Sequence, residues 1–334
     1  PLRWLALAAV LAFMTFKSEF IFSNWYWADW GFFFEEGIYL RWINELLRGK
    51  VLYRDIYFYA GPFMVWPQSW LMKIFGPSLA LNRFYIYLWY FIGYIIVFKV
   101  LRQVVNSKIL ILMAMLLVLY LYYPLLPGIQ QSLGRFAVSL IPLYLAYRFF
   151  CSQRSIYLIG TGVSLGFALF LSQELGLGSF TAVAAMLGAY AYRESKWKGL
   201  IRQARAIAAG AVIVIAPVVS YFFLKGALPH LYEAMLVVPR YYSMGTWGAQ
   251  FPNFLSLLRS AGEAKHGAIE TLLAYWPIVF YTASVFFLLI LIARGGSTNR
   301  IILLFGIAVL GGIMFQRAFG IYSLLKIKNA ICPA

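Results

Sequence analysis

The chain has 334 residues, of which 63% are hydrophobic and only 12% charged. That balance excludes an ordinary soluble domain and predicts an all-α, polytopic transmembrane helical protein forming a single integral membrane domain, 1–334. A net charge of +17 would suggest nucleic acid in a soluble protein. In a membrane protein it reads first as Lys and Arg gathered in cytoplasmic loops, and next as attraction to anionic lipid headgroups, so no nucleic-acid partner is expected.

In chain order, apolar runs at 3–22, 84–101, 109–123, 135–150, 156–171, 176–192, 206–224, 268–293 and 301–316 predict nine spans. Together they average close to the ~20 residues a helix needs to cross a bilayer. The first run lacks a small-residue cleavage site and reads as a retained span. The chain opens with Pro almost inside an apolar run and stops soon after another, which reads as a fragment of a longer protein. Residues 62–76 are apolar but short and contain Pro62 and Pro67, the pattern of an interfacial or re-entrant segment. Two longer connections remain, 23–83 and 225–267.

Charge predicts the orientation. With a cytoplasmic N-terminus, the inner loops hold Lys99, Arg102, Lys108, Arg148, Arg154, Arg193, Lys196, Lys198, Arg202, Arg205, Arg294 and Arg300. The one acid among them is Glu194, and the other ten acids fall on the outer side or at outer span ends. This is the positive-inside pattern, and it places 23–83 and 225–267 on the extracytoplasmic face. A bacterial or archaeal type of plasma membrane is the expected location. Cys151 and Cys332 have no neighbour at metal-ligand spacing and suggest no disulfide. No Gly-rich phosphate loop or HExxH motif supports ATP-driven or zinc-peptidase chemistry.

The first outer loop carries the chemistry. Residues 29–83 hold five of the eleven acids, Asp29, Glu35, Glu36, Glu45 and Asp55, packed among aromatic and apolar residues. Carboxylates are costly in such surroundings unless paired or functional. The spacing predicts an amphipathic surface helix over 34–48, with Arg41, Asn44, Glu45 and Arg48 on the polar stripe and Gly49 as its stop. Glu35 and Glu36 head the apolar lines of that wheel. First-turn acids stabilise a helix through its dipole, and a carboxylate in a half-dry cleft can act as a base or hold a cation; both readings stand. Asp29 lies among interfacial aromatics, and Asp55 can pair locally with Arg54.

The order of residues here resembles a family. Glu35-Glu36-Gly37, Leu46-Leu47-Arg48-Gly49-Lys50, Tyr53-Arg54-Asp55, Gly61-Pro62 and Phe75-Gly76-Pro77-Ser78, closing with Arg83, are similar to the polyprenyl-phosphate-sugar-dependent glycosyltransferases of the GT-C class. That class includes the protein O-mannosyltransferases and the lipid A aminoarabinose transferases. The match covers about 55 residues. The resemblance implies juxtamembrane helices in the first outer loop over a cavity, and a catalytic carboxylate in the acid pair. That pair falls on Glu35 and Glu36. Glu35 stands where Asp is usual, which makes Asp29 a rival for the base. Some members carry a Lys for the donor phosphate where this chain has Ala60 or Gly61, so another cation must serve. Gln173 and Glu174, in SQELG at an outer span end, resemble a further polar site of these enzymes.

The implied reaction moves a sugar from a polyprenyl phosphate to a hydroxyl on a lipid, glycan or protein acceptor, with inversion. The departing lipid phosphate needs fixed positive charge. Outer-side candidates for binding the donor phosphate or substrate are Arg54, Arg83, Arg135, Arg240, Lys265 and Arg317, with Asp55 and Glu174 beside them. Arg83, Arg135 and Arg317 sit at span ends, where snorkelling to headgroups is the competing reading. His230 and His266 have no partner at recognisable spacing and are not assigned a catalytic role. No metal ligands are assigned, no cofactor is required, and a divalent cation is left open. The rival functional classes are a transporter or lipid flippase, which predicts charges in mid-span, and a non-catalytic scaffold.

Overall fold

The computed structural model describes residues 7–8, 12, 30–122, 132–194, 197–243, 265–295 and 298–320. Helix α1 (Trp30–Leu47) is the amphipathic helix expected from the sequence. Tyr39 and Ile43 are buried, whereas Arg41, Asn44 and Arg48 are exposed. Gly49 ends it at φ +84°, a conformation that suits a residue without Cβ, and its N–H donates to the Leu46 carbonyl at 3.0 Å. A short 3-10 turn (Pro62–Met64) and α2 (Trp66–Phe75) follow. The 62–76 segment is therefore a turn and a ten-residue helix, and Gly76, also at φ +84°, turns the chain into α3.

Helix α3 (Leu79–Val104) is capped by Ser78, whose hydroxyl accepts the Leu81 N–H. Its 26 residues reach about 39 Å, enough for the hydrocarbon core of a bilayer. Helix α4 (Lys108–Leu121) follows a Ser107 cap. The expected span 135–150 is instead broken into α5 (Leu133–Val138) and α6 (Leu140–Ser152). The cause is Pro142, which has no N–H to give to the Val138 carbonyl. The Ser139 hydroxyl at the break donates to the Phe136 carbonyl, and Ser179 donates to the Ser139 carbonyl.

The chain continues through α7 (Ile156–Leu171), α8 (Gln173–Glu194) and α9 (Trp197–Leu224). Helices α7 and α9 cross with their backbones touching. A Cβ on Gly162 would lie 1.9 Å from the Ile207 carbonyl oxygen, and one on Gly210 would lie 2.0 Å from that of Ile159. The stretch expected as loop from 225 starts with helical turns: α10 (Leu228–Tyr232), a π-helical turn (Glu233–Val237) and α11 (Val238–Ser243). Pro229 falls in the first turn of α10, where a missing N–H costs nothing, so a residue that looks like a loop marker opens a helix. Helices α12 (Lys265–Ala293) and α13 (Asn299–Gly320) complete the described fold.

Among the described residues, four helices are long and apolar enough to cross a membrane: α3, α8, α9 and the Tyr275–Ala293 part of α12. Helices α4, α7 and the Asn299–Phe315 part of α13 are apolar but shorter. The expected first span, 3–22, lies outside the described residues except for Leu7, Ala8 and Ala12. Within the bundle α3 and α8 are central, with 56% and 61% of their apolar windows buried, against 22% for α9 and α12. The outer helices turn large apolar side chains outward, among them Val212, Ile213, Phe280 and Phe286. Such a surface is stable against lipid and not against water. One apolar core runs through the bundle around Tyr90, Tyr94, Phe98 and Met186. A second lies at one end, where Leu52, Phe58, Met64 and Val65, from the connection between α1 and α2, pack on Phe170 and Phe222.

Candidate functional site

The second core holds residues 51–65 against the helix ends. After α1 the chain folds into a tight knot. The Val51 N–H donates to Asp55 Oδ2 at 2.8 Å, the Asp55 N–H to the Val51 carbonyl at 2.9 Å, and the Tyr53 N–H to the Ile56 carbonyl at 2.9 Å. Tyr53 adopts φ +69°, a strained conformation for a residue with a Cβ. The knot holds it there because its hydroxyl donates to the Ala60 carbonyl at 2.6 Å and its ring packs on Phe222. Burial pushes that hydroxyl well above the ordinary tyrosine range. Gly61 follows because a Cβ there would sit 2.0 Å from the Phe170 carbonyl oxygen.

Arg54 and Asp55 form the local pair expected from their adjacency. Arg54 Nε and Nη2 donate to the two Asp55 oxygens at 2.9 and 3.0 Å, and Nη1 donates to the Lys225 carbonyl at 2.7 Å. The Arg54 guanidinium, then the Val51 N–H, hold the Asp55 carboxyl down at about 2. The same arginine joins the connection between α1 and α2 to the chain just past α9, so those two segments meet at one end of the bundle.

Glu36 lies on the buried side of α1, 5% exposed. Arg83, 7% exposed near the start of α3, donates Nε to Glu36 Oε1 and Nη2 to Oε2, both at 3.0 Å. Asn82 Nδ2 donates to the same Oε1 at 2.9 Å, and Gln68 Nε2 of α2 donates to Asn82 Oδ1. One carboxylate thus ties together α1, α2 and α3. A forked ion pair with extra hydrogen bonds is the arrangement that lets two charges stay buried. Snorkelling to headgroups is overturned for Arg83, because its guanidinium turns inward to a carboxylate.

A second buried arginine sits nearby in the fold. Arg135 of α5 is 3% exposed, and its Nη2 donates to Ser172 Oγ and to Glu174 Oε1, each at 2.8 Å. The Ser172 hydroxyl donates to the same Glu174 oxygen at 3.1 Å. Snorkelling is overturned here too, because α8 begins with an acid aimed at α5. The Glu174 side chain is 40% exposed, so this pair reaches water while the Glu36 pair does not. Gln173 Nε2 donates to the Tyr59 carbonyl at 3.2 Å and the Ala234 carbonyl at 3.3 Å, joining the connection between α1 and α2 to the π-helical turn. Beside Gln173 lies an open apolar cavity of about 580 Å³, lined by Leu169, Phe170, Leu228 and Met235 among others.

The remaining candidates are more scattered. Asp29 lies outside the described residues; Glu35 is on α1, but its side chain is not among those described, nor are those of Lys265, His266 and Arg317. Arg240 is exposed on α11, and His230 is exposed on α10. Among the described residues no group of three or more His, Cys, Asp or Glu is placed to hold a metal ion. Sequence reasoning missed Asn82 and Gln68. Their signal was an amide in an apolar stretch, which must find a partner when buried.

Comparison with protein-family models, curated proteins and solved structures finds no match for this chain. Its fold and surface define it as an all-α, multi-pass membrane protein.

Proposed function

We propose that the protein is a membrane glycosyltransferase that moves a sugar from a polyprenyl-phosphate donor to a hydroxyl acceptor on the extracytoplasmic face. In this reading the chain has about nine spans of ~20 residues in a GT-C-like arrangement. Helices α1 and α2 are its juxtamembrane elements, and the N-terminus is cytoplasmic. The observation that carries the proposal is the Glu36–Arg83 pair. The acid pair and the closing arginine bound the stretch that resembles the family, and they meet in space across 47 residues. A motif whose two ends form one buried contact behaves as a folded unit.

That contact also divides the labour. Glu36 is buried, and both its oxygens are taken up by Arg83 and Asn82, which leaves it badly placed to receive a proton from an acceptor hydroxyl. We assign Glu36 to positioning α1, and the base to Glu35, with Asp29 as its rival. The base takes the proton of the acceptor hydroxyl, and the oxygen attacks the anomeric carbon opposite the donor phosphate. The bond from that carbon to the phosphate oxygen breaks, and its electron pair leaves with the lipid phosphate. Arginines on the outer side, Arg54, Arg240 and Arg317, are the candidates to take up that charge. The two buried ion pairs lie at helix ends and not in mid-span, which favours this reading over a transporter.

The test is incubation of the purified protein with a panel of radiolabelled polyprenyl-phosphate sugars and hydroxyl acceptors. Loss of a general base costs about 10²- to 10⁴-fold in rate. Glu35→Gln or Asp29→Asn is expected to show that loss while the protein stays folded. Transfer that persists in both variants removes the assignment. Labelled lipid crossing a vesicle bilayer at wild-type rate in both variants, with no transfer, makes the protein a flippase.

A further inference from the structure

The apolar cavity beside Gln173 opens onto an exposed face of α8. Leu177 lines the cavity and heads a stripe of Leu177, Phe180, Thr181 and Ala184, at i, i+3, i+4 and i+7 and all exposed. Gly188 extends the stripe, with open space where a Cβ would stand. From Leu177 to Gly188 it runs about 16 Å along the helix. The Thr181 hydroxyl donates to the Leu177 carbonyl at 3.0 Å, so the polar side chain of the stripe is satisfied within its own helix. A helix closes in on either side. A Cβ on Gly176 would lie 2.4 Å from Leu169 Cα of α7, and one on Gly178 would lie 2.4 Å from Met314 Cε of α13. Beyond Leu177, the segment from α10 through the π-helical turn to α11 crosses from α9 to α13. Leu228, Leu231 and Met235 of that segment form the far wall of the cavity.

We infer that this cavity binds one acyl chain of a membrane phospholipid, which lies along the α8 stripe and enters at Leu177. The cavity is apolar, and among the described residues no charged side chain lines it. Its amide side chain, Gln173, turns Nε2 to the Tyr59 and Ala234 carbonyls. Little is left to hold a polar ligand, or a water, which needs several polar partners. A chain that arrives from the bilayer gains nothing by leaving water. It is held by the dispersion contacts that an empty cavity forfeits. Phospholipid chains are what the bilayer supplies in bulk, and a lining without charge has no means to select a rarer lipid by its headgroup. The π-helical turn in one wall supports a binding role, because such turns recur at functional sites. This inference does not rest on the glycosyltransferase reading.

The experiment reconstitutes the full chain in phosphatidylcholine vesicles doped with phosphatidylcholine that carries a diazirine on one acyl chain, near the carbonyl in one probe and near the tip in another. After irradiation, labelled residues are mapped by peptide mass spectrometry. Leu231 and Met235 are buried, so only a chain inside the cavity reaches them. One probe or the other is expected to label them at least as strongly as Val212 and Ile213 on the exposed face of α9. Leu177→Trp with Leu228→Trp is expected to lower that labelling about tenfold, the equivalent of some ten lost carbon contacts, and to leave Val212 and Ile213 unchanged. If the pair fails to fold, Leu177→Trp alone decides, since it changes an exposed position; a drop of about threefold is expected. Unlabelled Leu231 and Met235 in wild type overturn the inference, as does full labelling in the tryptophan variants. A phosphatidylglycerol probe should label the cavity within about twofold of phosphatidylcholine, and a larger preference overturns recognition by the chain alone. Loss of labelling on adding a small fraction of polyprenyl phosphate, beyond that caused by equal unlabelled phosphatidylcholine, overturns it too and makes the cavity a prenyl site.

Discussion

At the end of the bundle built from α1, α2 and the starts of α3 and α8, arginines meet carboxylates: Arg83 with Glu36, Arg135 with Glu174, Arg54 with Asp55. At the other end Arg300 meets the Asn106 amide and Arg148 the Tyr144 and Tyr157 phenols, while Arg193 pairs with its neighbour Glu194. Burial explains the contrast. Arg83 and Arg135 are almost fully enclosed, where an uncompensated charge is prohibitive. Arg300 is exposed, and water or lipid phosphate can answer its charge. One side-chain type thus serves as an internal tie at one end and as an outward-facing charge at the other.

The sharpest way to break this comparison is Arg83→Met. It leaves Glu36 buried without its fork, and a loss of about 3–5 kcal/mol is expected in denaturant or thermal unfolding. Adding Glu36→Leu should recover much of that loss, because the expense lies in the orphaned charge and not in the missing pair. A single variant as stable as wild type would mean that Arg83 is no tie at all.

Gly61→Ala probes the packing that encloses the same end. Its Cβ would collide with backbone at Phe170, which cannot swing aside as a side chain can. The expected cost is about 1–3 kcal/mol, with the loop from 50 to 60 opening to proteolysis first. Wild-type protease resistance would contradict the close seating of that loop.

A smaller and pH-dependent effect is expected at Asp55. Its carboxyl is held at about 2 against an ordinary 3.8, so the folded loop binds its proton less readily than the unfolded one. The resulting stabilisation is present above about pH 4 and is lost as pH falls toward 2. Hydrogen exchange at the Val51 and Asp55 amides, corrected for intrinsic rates, should accelerate over that window, and Asp55→Asn should flatten the response. The smallest effect belongs to the basic end. Arg300→Gln should alter stability by no more than about 0.5 kcal/mol, as at other exposed positions. A loss as large as that of Arg83→Met would erase the distinction between the two ends.

Much of the local architecture was legible. The α1 stripe, its stop at Gly49 and the Arg54–Asp55 pair are interactions over one to four residues, which spacing alone reveals. The break between α5 and α6 was also written in the sequence, in Pro142, but hydropathy averaged it into one span. Pro229 misled in the opposite direction, since a proline that opens a helix looks like a loop residue. Arg83 and Arg135 were read as candidates for the donor phosphate, with snorkelling to headgroups as the competing reading, because each stands at the start of an apolar run. Nothing near either in sequence reveals the acid it meets, 47 and 39 residues away.

The sequence by itself determined the membrane class, the helical content and the unequal charge of the two ends. Those properties follow from composition and from periods of a few residues, which the bilayer selects directly. Only the tertiary structure decided that Glu36 faces Arg83, that Glu174 faces Arg135, and that Arg193 reaches Asn299 across two helices. Such pairings depend on which helices lie side by side and how each is rotated. Backbone contacts such as Gly162 on Ile207 and Gly61 on Phe170 set that arrangement, and no local pattern encodes it.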